Sequence, residues 1–301
     1  MASLWSVVLA AGRGTRLAHV TGGVPKQFWA PTGKHSLLED TVGRLAPIAP
    51  PDRTITIVDD THHEYVQRLA EPAALGTIVY QPADRGTAVG VLLAATLVST
   101  CDPTAIVVLT PADHGVGDEE AFRAGVRTAA AHVQQHPGDI VLLGVEPQSP
   151  AGDYGWIVTT PRPAGTMAAV SSFVEKPATA AAARLYESGA LWNTMVLVAR
   201  VEALLNLYRR QEPDLIGAFE SFRFLPSAGR AESLRRLYAH LPVLDFSHDL
   251  LARATGLQCL AWAASMEWTD LGTPERLAAW LTRRLPARAG DADDRAAVTV
   301  H

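Results

Sequence analysis

Five short runs of β-branched and aliphatic residues, at positions 6–10, 54–58, 77–80, 105–109 and 140–144, alternate with stretches of helical period through the first 145 residues. Runs this short and continuously apolar read as strands buried on both faces. The stretches at 36–45, 61–69, 87–98 and 119–135 read as the helices that cover them. Strict alternation of this kind admits few architectures, so the expected class is α/β, with a Rossmann-like mixed, mainly parallel sheet sandwiched by helices. Beyond residue 147 the rhythm loosens into strand-like pieces at 155–159, 169–174 and 194–198, with a helix at 178–188. A mostly helical, arginine-rich stretch follows at 200–251, then a strand near 258–263 and a closing helix ending at Arg284. One unit over 1–285 is expected, in two halves at about 1–146 and 147–285. The Ala-, Gly- and Asp-rich tail 286–301 is expected to be disordered.

Composition removes several classes of function. With 48% hydrophobic and 19% charged residues, the chain has the balance of a packed globule. A net charge of −5 without a basic block argues against a nucleic-acid partner and leaves a small-molecule site. Cys101 and Cys259 have no metal or disulfide spacing, which fits a reducing cytosol. The apolar opening carries no positive charge and runs straight into a glycine loop, so it reads as a first strand rather than a leader. No stretch reaches the roughly 20 apolar residues of a membrane span, and a soluble, cytoplasmic protein is expected.

Leu9-Ala10-Ala11-Gly12-Arg13-Gly14-Thr15-Arg16-Leu17 lies between a strand and a helical pattern. Glycines there let backbone N–H groups close around phosphate oxygens, and the arginines add forked donors. The loop has no Gly-Lys-Ser/Thr of a Walker motif. It also lacks the third glycine and the later acid of a dinucleotide fold, which argues against a nicotinamide dehydrogenase. Lys26 follows in Pro25-Lys26-Gln27-Phe28, and only Lys26, Lys34 and Lys176 are lysines among 26 basic residues. Such scarcity suggests lysine where a compact point charge must meet phosphate. The strand 106–111 runs into Ala112-Asp113-His114, and Asp113 at its carboxyl end is a candidate magnesium ligand, with a turn or cap aspartate as the plainer alternative. Asp270 in Trp268-x-Asp270-x-Gly272 is a candidate second carboxylate, since Thr273-Pro274 accounts better for the start of the next helix. Trp192 reads as core, and His62-His63 as a solvated surface pair.

Taken in order, these segments resemble the sugar-1-phosphate nucleotidyltransferases, most closely their mannose-1-phosphate guanylyltransferase branch. The resemblance runs nearly to Asp270 and implies the nucleotide-diphospho-sugar transferase fold. Residues 9–17 are similar to the loop that grips the triphosphate, which assigns Leu9, Ala10, Ala11, Gly12, Arg13, Gly14 and Thr15 to nucleotide binding and Arg16, with Lys26, to catalysis. Gln81-Pro82-Ala83-Asp84-Arg85-Gly86-Thr87-Ala88 resembles the base-reading loop, which adds Gln81, Gly86, Thr87 and Ala88. Segments around Tyr154-Gly155, Glu175-Lys176 and Asn193 resemble those lining the sugar site. Asp113 and Asp270 match the pair that holds Mg²⁺, Asp113 also facing substrate.

The implied reaction is transfer of a nucleotidyl group from a nucleoside triphosphate, first expectation GTP, to a sugar 1-phosphate such as mannose 1-phosphate, releasing pyrophosphate. A homodimer is one expectation for its assembly. Glutamate commonly stands where this chain has Gln81 and asparagine where it has Gly86, and a neutral amide offers guanine less than a carboxylate does. Another base, with another sugar or cyclitol phosphate, therefore stays open as an alternative. A non-catalytic regulatory relative is the other, disfavoured because Arg16, Lys26, Asp113 and Asp270 are all present. The chain extends only about 30 residues beyond Asp270, and a stand-alone catalytic domain is expected.

Overall fold

The computed structural model describes residues 2–161, 166–223 and 229–284. The tail expected at 286–301 lies outside the described residues. Among the described residues nine strands form one sheet: β1 Leu4–Ala10, β2 Thr54–Asp59, β3 Thr77–Gln81, β4 Ile106–Pro111, β5 Ile140–Val145, β6 Gly155–Thr159, β7 Met167–Glu175, β8 Leu191–Arg200 and β9 Gln258–Trp262. Their order is β3-β2-β1-β4-β8-β5-β9-β7-β6, with a further pairing between β8 and β6. The pairings β1–β2, β1–β4, β2–β3 and β5–β9 are parallel. Strand β8 is antiparallel to both β4 and β5, and β7 to both β6 and β9, so only these two oppose the rest of the sheet. The mixed, mainly parallel sheet is therefore the one expected from the sequence.

Period-two alternation sorts the strand residues onto two cores. Val7, Val107 and Leu142 join the helices Thr87–Cys101 and Val201–Gln211 on one face, while Val8, Val108 and Leu143 join Leu37–Leu45 and Glu119–Gln135 on the other. The helix Thr87–Cys101 has no polar face because it lies between the sheet and the helices Val201–Gln211 and Pro213–Arg223, so nearly every side is buried. Helix Leu37–Leu45 begins with a reciprocal cap, in which the Ser36 hydroxyl accepts from Glu39 N (3.2 Å) and Glu39 accepts from Ser36 N (2.8 Å).

Two local departures shape the ligand side. The helix expected at 61–69 is shortened to Asp60–His62 and His63–Gln67, with His62 turned inward. Between β5 and β8 the register jumps, Leu143 facing Val196 and Gly144 facing Asn193, so Thr194 and Met195 bulge from the ladder. Met195 sits at φ +58°, a strained conformation for a side-chain-bearing residue, and lines the cavity described next. No helix among the described residues is long and apolar enough to cross a membrane.

Candidate active site

Two cavities open at the carboxyl ends of β1, β3 and β4, where an open α/β sheet leaves room for a ligand between diverging loops. The first, about 410 Å³, is bounded by Leu9–Gly12 at the end of β1, Gln81, Asp84, Gly86 and Thr87 at the end of β3, and Met195 on β8. The second, about 280 Å³, is bounded by Gly14, Arg16, Lys26, His114 and Asp270. Asp113 lines both, so the two are adjoining compartments.

The loop after β1 is held from beneath. Buried Gln27 donates through Nε2 to the carbonyls of Ala10 (2.7 Å) and Gly12 (2.8 Å). His62 is buried close to this loop, packed edge-on against Phe28 with ring centroids 5.2 Å apart. Its burial corrects the solvated reading of the His62-His63 pair; only His63 lies towards solvent, stacked on Tyr80. Desolvation lowers the His62 pKa, keeping the ring neutral at pH 7. Gly14, at φ +61°, passes so close to the Lys26 turn that a Cβ would lie 2.7 Å from Lys26 N. Thr15 opens a short 3₁₀ turn ending at Leu17. Arg13 and Arg16 are exposed, with no ion pair among the described residues, which leaves both guanidinium groups available to an anion.

Lys26 itself is buried. Its Nζ lies 3.0 Å from Asp113 Oδ2 and donates to the backbone carbonyl of Asp270. Burial would raise the Asp113 pKa, but the charge and hydrogen bond of Lys26 prevail and hold it below the ordinary carboxylate range. Desolvation drives His114 down to about 4, so that ring is neutral at pH 7. Asp113 caps no helix, since Asp118 accepts from Ala121 N and caps Glu119–Gln135.

Asp270 is locked by its neighbours. Its Oδ1 accepts from Tyr154 Oη (2.8 Å), Gly272 N (3.0 Å) and Arg276 (3.2 Å), while its Oδ2 has only a 3.4 Å approach to Arg276. Arg276 also grips both oxygens of Asp153 at 2.7 Å and lies over the Tyr154 ring at 4.3 Å. Among the described residues no three His, Cys, Asp or Glu side chains form a protein-only metal cage. Two carboxylates facing one compartment, with the lightly used Oδ2 of Asp270, are nevertheless a hard-oxygen set that suits a divalent ion such as Mg²⁺, which keeps water and phosphate ligands.

The loop at 81–88 is built against a segment that sequence reasoning left without a role. Gly86, at φ +80°, packs on Leu244 so tightly that a Cβ would lie 2.2 Å from its carbonyl. Leu244 N donates to Arg85 O and Ala88 N to Leu244 O, both at 3.0 Å. Ala88 is buried in this contact and lines neither cavity. The Thr87 hydroxyl accepts from Phe246 N (2.8 Å) and donates to Asp245 Oδ2 (3.2 Å), and Asp245 joins the cavity wall.

The remaining sugar-side candidates gather next to these compartments without lining them. Gly155 faces Glu175 across the β6–β7 ladder, and a Cβ there would lie 2.6 Å from Glu175 Oε2 and 3.3 Å from Asn193 Cβ. Glu175 Oε1 pairs with Lys176 Nζ at 3.0 Å, and Lys176 N donates to Tyr154 O at 3.2 Å. Asn193 accepts from Met195 N at 3.1 Å, tying this cluster to the cavity wall. Sequence reasoning did not single out Gln27, His62, Asp245 or Arg276. Gln27 had a signal, a polar residue inside a short motif next to the glycine loop, whereas Arg276 was one arginine among many.

Gln27→Ala is expected to cost about 1–3 kcal/mol of stability by withdrawing a buried two-carbonyl donor, and to weaken triphosphate binding by loosening the loop. Urea unfolding and a nucleotide titration check the two effects separately.

A family model for nucleotidyl transferase matches residues 5–282. The xanthan biosynthesis protein XanB of Xanthomonas campestris pv. campestris (strain B100) is 34% identical over 226 residues, covering 72% of this chain and 46% of that protein. A mannose-1-phosphate guanylyltransferase of Escherichia coli (strain K12) is 32% identical over 227 residues, covering 72% and 47%. The chain thus spans about half the length of these curated relatives. Among solved structures, the protein named mannose-1-phosphate geranyltransferase from Thermus thermophilus superposes with a TM-score of 0.79 at 31% identity, over 90% of this chain and 76% of that one. The inositol-1-phosphate CTP transferase of T. maritima shares the fold at a TM-score of 0.61 and 15% identity, over 93% and 95%.

Proposed function

Because the chain belongs to the nucleotidyl transferase family, we propose that it transfers a nucleotidyl group from GTP to mannose 1-phosphate, giving GDP-mannose and pyrophosphate. The observation that carries this reading is the meeting of Lys26, Asp113 and Asp270 where the two compartments adjoin. An oxygen of the sugar phosphate attacks the α-phosphorus, the bond from that phosphorus to the bridging oxygen breaks, and pyrophosphate leaves with the electron pair. The attacking oxygen is already ionised at neutral pH, so the residues need only align the reactants and stabilise charge. Lys26 would do so as a fixed ammonium near the reacting phosphate, and Arg13 and Arg16 would hold the outer phosphates. Gln27 keeps the loop in place for that contact. Glu175, Lys176 and Asn193, with Tyr154 and Gly155 behind them, would orient the sugar phosphate. Mg²⁺, for which Asp113 and Asp270 would be ligands, supplies Lewis-acid neutralisation of the phosphates. We read 1–285 as one catalytic domain with halves at about 1–146 and 147–285, working in the cytoplasm where its triphosphate is found.

A second reading, the same transfer with another nucleotide and another sugar or cyclitol phosphate, is favoured by the neutral amide of Gln81 in the first cavity. Measuring pyrophosphate release from GTP, ATP, CTP, UTP and dTTP against a set of sugar 1-phosphates separates the two. GTP with mannose 1-phosphate is expected to give the highest kcat/KM, by at least about tenfold. A preference for UTP or dTTP would overturn the guanylyl assignment and leave the reaction class standing.

A further inference from the structure

The first cavity has three carboxylates on its wall, Asp84, Asp113 and Asp245, and they are not equally committed. Asp113 is paired with Lys26. Asp245 spends Oδ2 on the Thr87 hydroxyl and Oδ1 on His248 N (2.9 Å). Asp84 uses Oδ1 to accept from Gly86 N at 3.0 Å, and among the described residues nothing bonds its other oxygen and no cation pairs with it. It is exposed. The cavity therefore presents one uncommitted anionic acceptor, on the same short loop as Gln81 and Gly86.

The nucleobases differ in what they offer such a group. Guanine alone places two donors side by side, N1–H and the N2 amino group, next to the O6 acceptor. On uracil and thymine a single N–H lies between two carbonyls, and on adenine and cytosine the amino group adjoins an unprotonated ring nitrogen. A carboxylate against any of these four edges would face an acceptor lone pair without compensation. Gln81, which lies beside Gly90 on the cavity wall, can turn its amide so that the NH₂ donates to O6.

We infer that Asp84 is the guanine-selecting residue of this chain: its carboxylate accepts from N1–H and N2–H while Gln81 donates to O6. This inference rests on the guanylyl reading above and moves the anionic recognition group three residues along the loop from Gln81. It also removes the difficulty that a neutral residue at position 81 raises for guanine.

The test compares GTP, ITP and UTP with the wild type and Asp84→Asn. Asparagine keeps an oxygen for Gly86 N, so the turn survives, which a melting curve checks. ITP lacks the N2 amino group, so a change in the GTP-to-ITP ratio reports the base contact and not the fold. The wild type is expected to prefer GTP over both. In Asp84→Asn the GTP-to-UTP ratio of kcat/KM should fall on the order of 10- to 100-fold, and the GTP-to-ITP ratio should move towards one. Unchanged ratios in a folded variant that still prefers GTP would overturn the role of Asp84 while leaving the guanylyl reading intact. A wild type that prefers UTP would overturn both.

Discussion

Lys26→Ala should lower kcat by about two to three orders of magnitude while changing triphosphate affinity far less, because a charge contact strengthens as the leaving pyrophosphate develops. The side chain cannot be treated as a solvated surface lysine, since it is buried against Asp113 and the Asp270 carbonyl. Lys26→Arg should restore little. The guanidinium is longer and wider than the ammonium, and the space is set by Asp113 at 3.0 Å on one side and the Asp270 carbonyl on the other. Loss of the ion pair should cost stability as well, about 1–2 kcal/mol and below the 3–5 of a fully buried pair, because Asp113 retains contact with solvent. Steady-state kinetics beside melting curves distinguish the two effects. Wild-type turnover in folded Lys26→Ala would remove Lys26 from the chemistry.

Asp113→Asn should follow closely, with kcat/KM down by about two orders of magnitude and a raised Mg²⁺ requirement. The amide preserves shape but leaves Lys26 without its counter-charge and replaces an anionic oxygen by a neutral one. Asp270→Asn should cost less, because Arg276 already draws on that carboxylate and Tyr154 and Gly272 keep the residue oriented. High Mg²⁺ or Mn²⁺ should recover part of either loss. Calorimetric titration of the metal in the presence of a non-hydrolysable triphosphate gives a readout independent of turnover. Unchanged metal affinity in folded Asp113→Asn would take Asp113 out of the metal site.

The sheet was legible from the sequence because its strands are continuous apolar runs separated by amphipathic helices, a pattern that local chemistry imposes. Asp113 and the loop 9–17 were legible for the same reason, lying at the carboxyl ends of recognisable strands. Tertiary support was not. His62 looks like surface when the adjacent histidine is taken as its guide, yet a shortened helix turns it inward against Phe28. Asp245 belongs to a stretch whose helical pattern says nothing about where its end docks, and only the contact of Leu244 with Gly86 and Ala88 brings it to the cavity. The bulge at Thr194–Met195 was equally hidden, since a two-residue insertion in a ladder depends on the partner strand β5, distant in the chain.

The seam between Lys26 and Asp270 joins positions 244 residues apart, and the Gly115–Thr269 bridge and the Tyr154–Asp270 bond cross the same seam. Closing loops of that length carries an entropic penalty that nearby contacts cannot offset until the intervening sheet exists. The first four parallel strands can therefore assemble while a ribosome is still extending the chain, but the Lys26 ammonium acquires its second partner only after residue 270 has emerged. Under the proposed function, catalytic competence is for this reason a late event in the life of the polypeptide, and a nascent chain interrupted before Asp270 would carry the loop 9–17 and Lys26 without the residue that completes their surroundings.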